Sequence, residues 1–450
     1  MGKLWDKGYE TDKVIERYTV GEDYLLDRSL LPFDCLASIA HVRMLAHVGI
    51  LSGEEGRALE EALRELLSLV REGRFEIRPE DEDGHTAIEN WLVARLGEVG
   101  KKVHTGRSRN DQVLVALRLY MKDRIYLLAE VLEGLVRLLF RRAEETAHIP
   151  MPGRTHMQIA MPSSCGLWFA SFAEELVDVL SLLVSVHEVV DQNPLGAAAS
   201  YGVPLPLDRA YTTRLLGFSR VQNNVLYANN SRGTCEAMVV DACEQVMLTL
   251  SKLAQDVILF SLPEFGYMKL PPELCTGSSI MPQKQNPDSL ELLRAKAASV
   301  GAWGVQIKGI IRSLPSGYNR DFQETKGPFM RAVETTVDSV VMSSRVVEGL
   351  RLFPERMRAG FSREIFATDE VYRLVREGRS FRDAYREVAS RLEDLPEGDP
   401  EAALKARTYP GSPGNLNLQP AQERLEAVVA KVKEARRRFR EALEGLERPR

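Results

Sequence analysis

Apolar residues keep a helical rhythm over long stretches of this chain. From Asp111 to about His148 the positions Val113, Leu117, Tyr120, Leu128, Val131, Leu135 and Leu138 recur with Gly134 as the single glycine and no proline. That pattern predicts one helix of roughly 55 Å at about 1.5 Å per residue. Its apolar positions extend beyond one narrow stripe, so it should be buried on more than one side. Similar runs at Ser163 to Asp191, Ser231 to Ser261, Asp288 to Ser313 and Pro328 to Leu350 predict four more long helices. Five such helices imply an all-α chain built on a bundle, with a symmetric oligomer covering what one subunit leaves exposed. A monomeric five-helix bundle is the alternative.

The flanks are patterned differently. The first hundred residues read as shorter helices separated by turns; one begins at Ser52, whose side chain caps it while Glu55 completes a capping box, ahead of Leu59, Leu63, Leu66 and Leu67. Upstream, His41 and His47 fall in another helical pattern and read as partly buried helix residues. After Leu352 the segments shorten and become more charged, and a Pro/Gly/Ser/Asn-rich stretch, Thr408 to Pro420, precedes a final helix ending near Glu447. The expected division is an N-terminal helical domain over 1–105, a central long-helix bundle over 106–352, and a small C-terminal helical domain over 353–450. A chain of 450 residues is longer than one core usually grows.

Composition narrows the class of partner. A net charge of −5 provides no basic face by count, which argues against nucleic acid and for a small molecule. Met1 to Gly8 is charged and broken by glycines, unlike a secretory segment, and no run of about 18 apolar residues occurs, so neither export nor a membrane span is expected. The expected location is the cytoplasm. Cys35, Cys165, Cys235, Cys243 and Cys275 are odd in number and form no CxxC pair, so neither a disulfide framework nor a zinc ribbon is indicated. No cofactor or metal is called for.

Chemistry concentrates in polar segments between the helices. Thr276 to Glu291, TGSSIMPQKQNPDSLE, combines Gly277, the hydroxyls of Ser278 and Ser279, the ammonium of Lys284 and a helix start at Asn286-Pro287. An N-cap side chain followed by proline at the first helical position, with free N–H groups and a cation nearby, makes an anion-handling loop. Val103 to Gln112, VHTGRSRNDQ, places Arg107 and Arg109 around Ser108, beside Asn110; guanidinium forks suit carboxylates. Pro150 to Met161, PMPGRTHMQIAM, is a turn presenting Thr155 and His156, and a loop histidine titrates near neutrality. Leu314 to Lys326 brings Tyr318, Gln323 and Lys326, a phenol, an amide and an ammonium suited to amino-acid and carboxylate groups. Asp81 to Asn90 clusters Asp81, Glu82, Asp83 and His85 at a helix entry, without the ligand spacing of a metal site.

The string GSSIMPQKQN resembles the signature of the aspartase/fumarase superfamily, whose members release fumarate by breaking a C–N or C–O bond, and its extension QKQNPDSLELLR is similar to the argininosuccinate lyase family. HTGRSRNDQ resembles the same family without a gap, and GRTHMQ, the EDxHT-like segment and YNRDFQETK follow. The resemblance implies a three-domain fumarase/aspartase-like fold, argininosuccinate as substrate, and a homotetramer in which three subunits contribute to each site. It also implies Ser278 and His156 as the acid–base pair, Lys284 stabilising charge and Glu291 holding the histidine. Arg109, Asn110, Thr155, Asn286, Tyr318, Gln323 and Lys326 would bind substrate, with His85, Arg107, Ser279 and Arg232 as further candidates.

The implied reaction removes a proton from the succinyl carbon and expels arginine. On pKa grounds alone His156 is the natural base; the resemblance favours Ser278, activated by loop N–H groups and Lys284, with His156 on the leaving-group side. Two departures stand out: Gly233 follows Arg232 where the family has aspartate, and TVGEDYLLD replaces a segment whose serine contacts substrate. A lyase acting on adenylosuccinate or aspartate, or a crystallin-like structural protein, are the alternatives.

Overall fold

The computed structural model describes residues 12–449, and the reading of Met1 to Gly8 lies outside them. The fold is all-α apart from three two-stranded ribbons. After a short helix α1 (Lys13–Val20), three helices form an N-terminal layer: α2 (Leu31–His47), α3 (Gly53–Arg71) and α4 (Gly84–Leu96). The capping box at the head of α3 forms, with Ser52 Oγ accepting from Glu55 N at 3.2 Å and the Glu55 carboxylate accepting from Ser52 N at 3.0 Å. The five long helices are α5 (Arg109–Thr146), α6 (Cys165–Val190), α7 (Thr234–Phe260), α8 (Asp288–Ile311) and α9 (Gln323–Gly349). They run up and down and share one apolar cluster, in which Leu132, Leu135, Val136 and Leu139 of α5 have no exposure.

Three boundaries differ from the sequence reading. Helix α9 begins at Gln323, so Pro328 lies inside it and forfeits one backbone bond in its second turn. Helix α8 begins at Asp288, with Pro287 at the cap position (φ −82°, ψ 48°). Asn286 is not the cap, because its backbone is engaged upstream: it exchanges hydrogen bonds with Thr276 at 2.8 and 3.0 Å across the neck of the loop. The turn expected around Thr155 and His156 is the tip of a ribbon, β1 (Pro150–Thr155) with β2 (Gln158–Ser164), antiparallel with Thr155 opposite Gln158.

The final helix α10 (Gln419–Glu447) leaves the 353–450 segment's own small cluster, Val371, Leu374, Ala384, Val388 and Leu395. Instead Leu425 and Val429 join the bundle core, and Phe439 and Leu446 join the N-terminal core. Arg43, paired with Glu60 at 2.9 Å, donates to the carbonyls of Gly445, Leu446 and Arg448. Lys122, buried in α5, sits 4.5 Å from the Phe218 ring and 4.7 Å from that of Phe439, with its ammonium 2.5 Å from Asp191 and 2.6 Å from the Gly217 carbonyl. The last helix is thus a strap across the body. Of the two histidines read as partly buried, His41 is fully buried and donates from Nε2 to Thr105 O (2.8 Å), whereas His47 is largely exposed and stacks on Tyr211.

Near the strap, His187 of α6 is buried with Nε2 2.7 Å from Tyr126 Oη. Burial, only partly opposed by Asp191, pushes its pKa down to about 4 from an ordinary 6.5. The unfolded chain binds this proton below about pH 6.5 and the native chain does not, so stability is complete above that pH and is lost as pH falls toward 4. At about 1.4 kcal/mol per unit of pKa the single group contributes roughly 3 kcal/mol over this window. Urea unfolding at pH 7 and pH 4.5 should therefore show a smaller pH loss for His187→Gln than for the unchanged chain; an equal loss would mean that His187 does not resist protonation.

Candidate active site

The N-terminal end of α5 forms one wall of a cleft of about 470 Å³. Ser108 caps the helix, accepting from Asn110 N, while Asp111 Oδ1 accepts from Ser108 N at 2.9 Å. The second oxygen of the buried Asp111 accepts from Gly196 N (2.9 Å) and Ala198 N (3.0 Å), tying the small-residue connection after α6 to this helix start. Gly196 takes φ +85° against the Arg209 side chain, where a Cβ would lie 2.9 Å from Cγ. The cleft wall is fixed before any ligand arrives.

The sequence candidates His85, Arg107, Arg109, Asn110, Arg232, Tyr318 and Gln323 all line this cleft. Their availability differs. Arg109 places Nη1 3.4 Å from Glu82 and 3.2 Å from Asp83, and its buried Nη2 has no hydrogen-bond partner among the described residues. The buried Nε of Arg232 is likewise unpartnered, with the guanidinium 5.8 Å over the Tyr318 ring. An unsatisfied buried donor is expensive, so both atoms favour an anion in the cleft. Arg107 is instead part of the wall: it donates to Ser38 Oγ and to Val103 O, each at 2.9 Å, and burial lowers its pKa. Gln323 donates to Thr19 O at 3.1 Å, which ties the end of α1 to the cleft.

His85 is held by Asp34, Nδ1 to Oδ2 at 2.5 Å, and Gln112 donates to the other oxygen of Asp34 at 2.9 Å. Burial opposes charge on His85, but Asp34, with Asp83 and Asp27, outweighs it and the pKa is raised. The nearby His104, also in the cleft, moves the other way: burial first, then Arg107, push its pKa down to about 4. His104 lies inside the VHTGRSRNDQ segment, where nothing in the string distinguishes a wall residue from one in a solvated loop. Asp23 is likewise unmarked. It belongs to the segment that departs from the family pattern, and it faces the cleft.

Lys326 does not offer a free ammonium here. It is 1% exposed and clamped between Asp23 Oδ1 at 2.7 Å and Asp27 Oδ1 at 2.5 Å. Burial disfavours its charge, but the two carboxylates outweigh that and its pKa is raised. Burial raises the pKa of Asp23; burial also works against the Asp27 carboxylate, but Lys326, His85 and the Gly84 N–H together overcome it and that pKa is lowered. Asp27 also accepts from Gly84 N at 2.9 Å, so this triad joins α9 to the entry of α4.

The remaining candidates stand at the other end of the bundle. Helix α5, with 38 residues, spans about 57 Å, and the ribbon that carries Thr155 and His156 follows its C-terminal end. His156 (φ +53°) and Met157 (φ +62°) form the tip of that ribbon, and Thr155 and His156 are exposed. The loop after Cys275 precedes α8, whose 24 residues span about 36 Å, whereas Tyr318 and Gln323 follow that helix. Within the loop, Ser278 Oγ accepts from Met281 N at 3.2 Å and from Ile280 N at 3.4 Å. Asn286 donates its carboxamide to Gly277 O at 3.3 Å, and Thr276 hydrogen-bonds Asp288. Lys284, Ser279 and Glu291 are exposed, and among the described residues no bond joins Glu291 to His156. One chain therefore brings together the cleft residues at one end and the Ser278, Lys284 and His156 segments at the other, and does not join the two sets.

Residues 7–301 match the lyase family Lyase_1. The chain is 48% identical to an argininosuccinate lyase of Sorangium cellulosum, over 94% of this chain and 98% of the relative. It is 46% identical to an argininosuccinate lyase of Thermotoga neapolitana, over 86% and 98% of the two chains. Among solved structures, EDDS lyase in complex with formate superposes with a TM-score of 0.81 at 24% identity, covering 98% of this chain and 95% of that one, a likeness of fold.

The triad at Lys326 makes a direct prediction. Lys326→Met leaves the buried Asp27 and the half-buried Asp23 without their cation, which costs roughly 3–5 kcal/mol for a broken buried pair. Urea denaturation should show the midpoint shift accordingly; an unchanged midpoint would mean that the triad contributes nothing to the fold.

Proposed function

The chain belongs to the argininosuccinate lyase family, and on that premise we propose that it cleaves argininosuccinate by β-elimination, at sites shared between subunits of a cytoplasmic homotetramer. The activity rests on kinship over nearly the whole chain. The shared site rests on one geometric observation: rigid helices of about 57 and 36 Å separate the guanidinium cleft from the Ser278 and His156 segments. A copy running antiparallel sets its cleft against the other copy's loop and ribbon. An exposed stripe along α8, Leu292, Ala295, Ser299, Ala302 and Val305, supports such pairing, since it is apolar or small at helical spacing and two of its members are 58% and 67% exposed. The five free thiols suit a reducing compartment.

Elimination removes a proton from the succinyl carbon beside a carboxylate, expels arginine and leaves fumarate. The C–H is a weak acid, so the intermediate's extra negative charge must meet donors already in place. Ser278 acts as the base. The N–H groups of Met281 and Ile280 point at its oxygen and favour the alkoxide, and Lys284 supplies the positive charge that stabilises both alkoxide and aci-carboxylate. His156, on its exposed ribbon tip, delivers a proton to the departing nitrogen, and Glu291 from another copy orients its ring. Arg109 with its unpartnered Nη2, Asn110 and Thr155 hold substrate carboxylates, with Asn286 and Ser279 completing the loop side. Tyr318, Gln323 and Arg232 hold the arginine portion. Lys326 acts through Asp23 and Asp27 rather than on substrate.

The enzyme should release fumarate, followed by its ultraviolet absorbance, from argininosuccinate and not from adenylosuccinate, aspartate or malate; release only from another of these would overturn the substrate. Ser278→Ala should lower kcat by roughly 10²- to 10⁴-fold with its circular dichroism unchanged. Co-expressed Ser278→Ala and Arg109→Ala subunits should regain a substantial part of the activity that each lacks alone, because mixed assemblies contain sites with neither change. If the mixture stays as inactive as its parents, each site is built from a single chain.

A further inference from the structure

Behind the Ser278 loop lies a second cavity, of about 350 Å³, that the reaction does not use. Its floor is apolar. Met268 and Leu270 are buried there, and Phe353 and Pro263 complete it. The floor is stiffened by a short ribbon in which Met268 pairs with Leu352, and by Phe353 N donating to Tyr267 O at 2.9 Å. Two cations stand on its rim, Lys269 and Arg356, both exposed, the latter with its aliphatic stem 3.9 Å from a Cβ position at Gly266. Neither has a carboxylate partner among the described residues, and no acidic side chain lines the cavity. Glu273 and Asp288 act on Cys275, and Asp288 is taken by the Thr276 hydroxyl.

The cavity's third wall is the neck of the loop. Thr276 and Asn286 bridge that neck through two backbone hydrogen bonds, and the residues flanking the bridge, Cys275 on one side with Gln285 and Pro287 on the other, face the cavity. Anything seated there touches both strands of the hinge from which Ser278 and Lys284 extend.

We propose that this cavity is a regulatory site for a small organic carboxylate, bound through Lys269 and Arg356 over the apolar floor and acting on the hinge of the loop. An apolar floor with a two-cation rim selects an anion with an apolar body rather than an inorganic ion alone. Binding does not depend on the assigned reaction; its effect on turnover rests on the reading of the loop as the catalytic lid. An occupant fills space behind the neck and favours one arrangement of the bridge, so it lowers kcat without competing with substrate.

Cys275 supplies a readout independent of activity, since the other four cysteines are buried. Benzoate serves as the probe, with benzamide at the same concentration as its uncharged counterpart and sodium chloride matching ionic strength. Benzoate at about ten times its dissociation constant should slow modification of Cys275 by a thiol reagent roughly tenfold, as simple occupancy requires. Benzamide should not, and the Lys269→Met/Arg356→Met double variant should lose protection while keeping its uninhibited turnover. Equal protection by benzamide, or protection that survives the double variant, would show an apolar hole and overturn an anion site. Protection without any change in kcat on argininosuccinate would leave a binding site but overturn its control of the loop. If the wild-type chain releases no fumarate at all, the functional reading fails, and the thiol measurement still decides whether the carboxylate binds.

Discussion

Helix length is the constraint on which the rest of the molecule depends. Once an apolar pattern commits 38 consecutive residues to α5, its two ends are held about 57 Å apart, because an α-helix has a fixed rise and little compliance along its axis. The polar segments attach at the ends, since one flank of each of α5 to α9 is packed into the shared core. The chain places Arg109 and Asn110 at one end and Thr155 with His156 just past the other. No side-chain motion spans such a gap. On the proposed reaction, association of antiparallel copies would complete the site and would also cover the exposed stripe on α8.

The cleft shows how burial assigns charges to roles. Desolvating an ion costs several kcal/mol, and an ion pair at about 4 Å returns roughly 4 kcal/mol at an effective dielectric of 20. Lys326, nearly without exposure, is sustainable because two carboxylates and a close geometry act together. Turning its ammonium toward a substrate would abandon Asp23 and Asp27, so an anionic ligand gains little from it. Arg109 is placed differently: two carboxylates hold one of its terminal nitrogens while the other remains unsatisfied. The same cleft suppresses protonation of His104, as its burial beside Arg107 and Arg109 requires. These features suit the carboxylate ligand proposed for the cleft.

Much of this was legible in the sequence. The five long helices and the capping box at Ser52 follow from spacing alone, and the five polar segments stand out by composition. What the string could not carry was competition between partners. Asn286-Pro287 has every local mark of a helix cap, yet the bridge to Thr276 claims its backbone, and a nonlocal hydrogen bond leaves no local trace. Lys326 reads as an available cation because Asp23 and Asp27 lie some three hundred residues upstream. The last helix reads as part of a C-terminal unit, but Phe439 finds its apolar surroundings beside Lys122 and Phe218.

His156 brings the conflict between stability and chemistry to one position. Both residues of the ribbon's tip have positive φ, the conformation two-residue turns prefer because it matches strand twist, and glycine or asparagine fits it with least strain. A left-handed histidine costs roughly 1–2 kcal/mol relative to its relaxed backbone, and Met157 adds a similar term. The neighbouring pairs, Thr155 with Gln158 and Arg154 with Ile159, together with Arg154 lying 4.6 Å over the Phe265 ring, hold the turn in spite of this. The side chain itself is exposed and forms no hydrogen bond among the described residues that would justify the strain. Stability alone would select glycine here, so the imidazole is retained for something beyond the fold of its own chain. The proposed shared site gives it that use: a strained turn holding an exposed imidazole, about one long helix from its own cleft, would serve the site of a neighbouring copy.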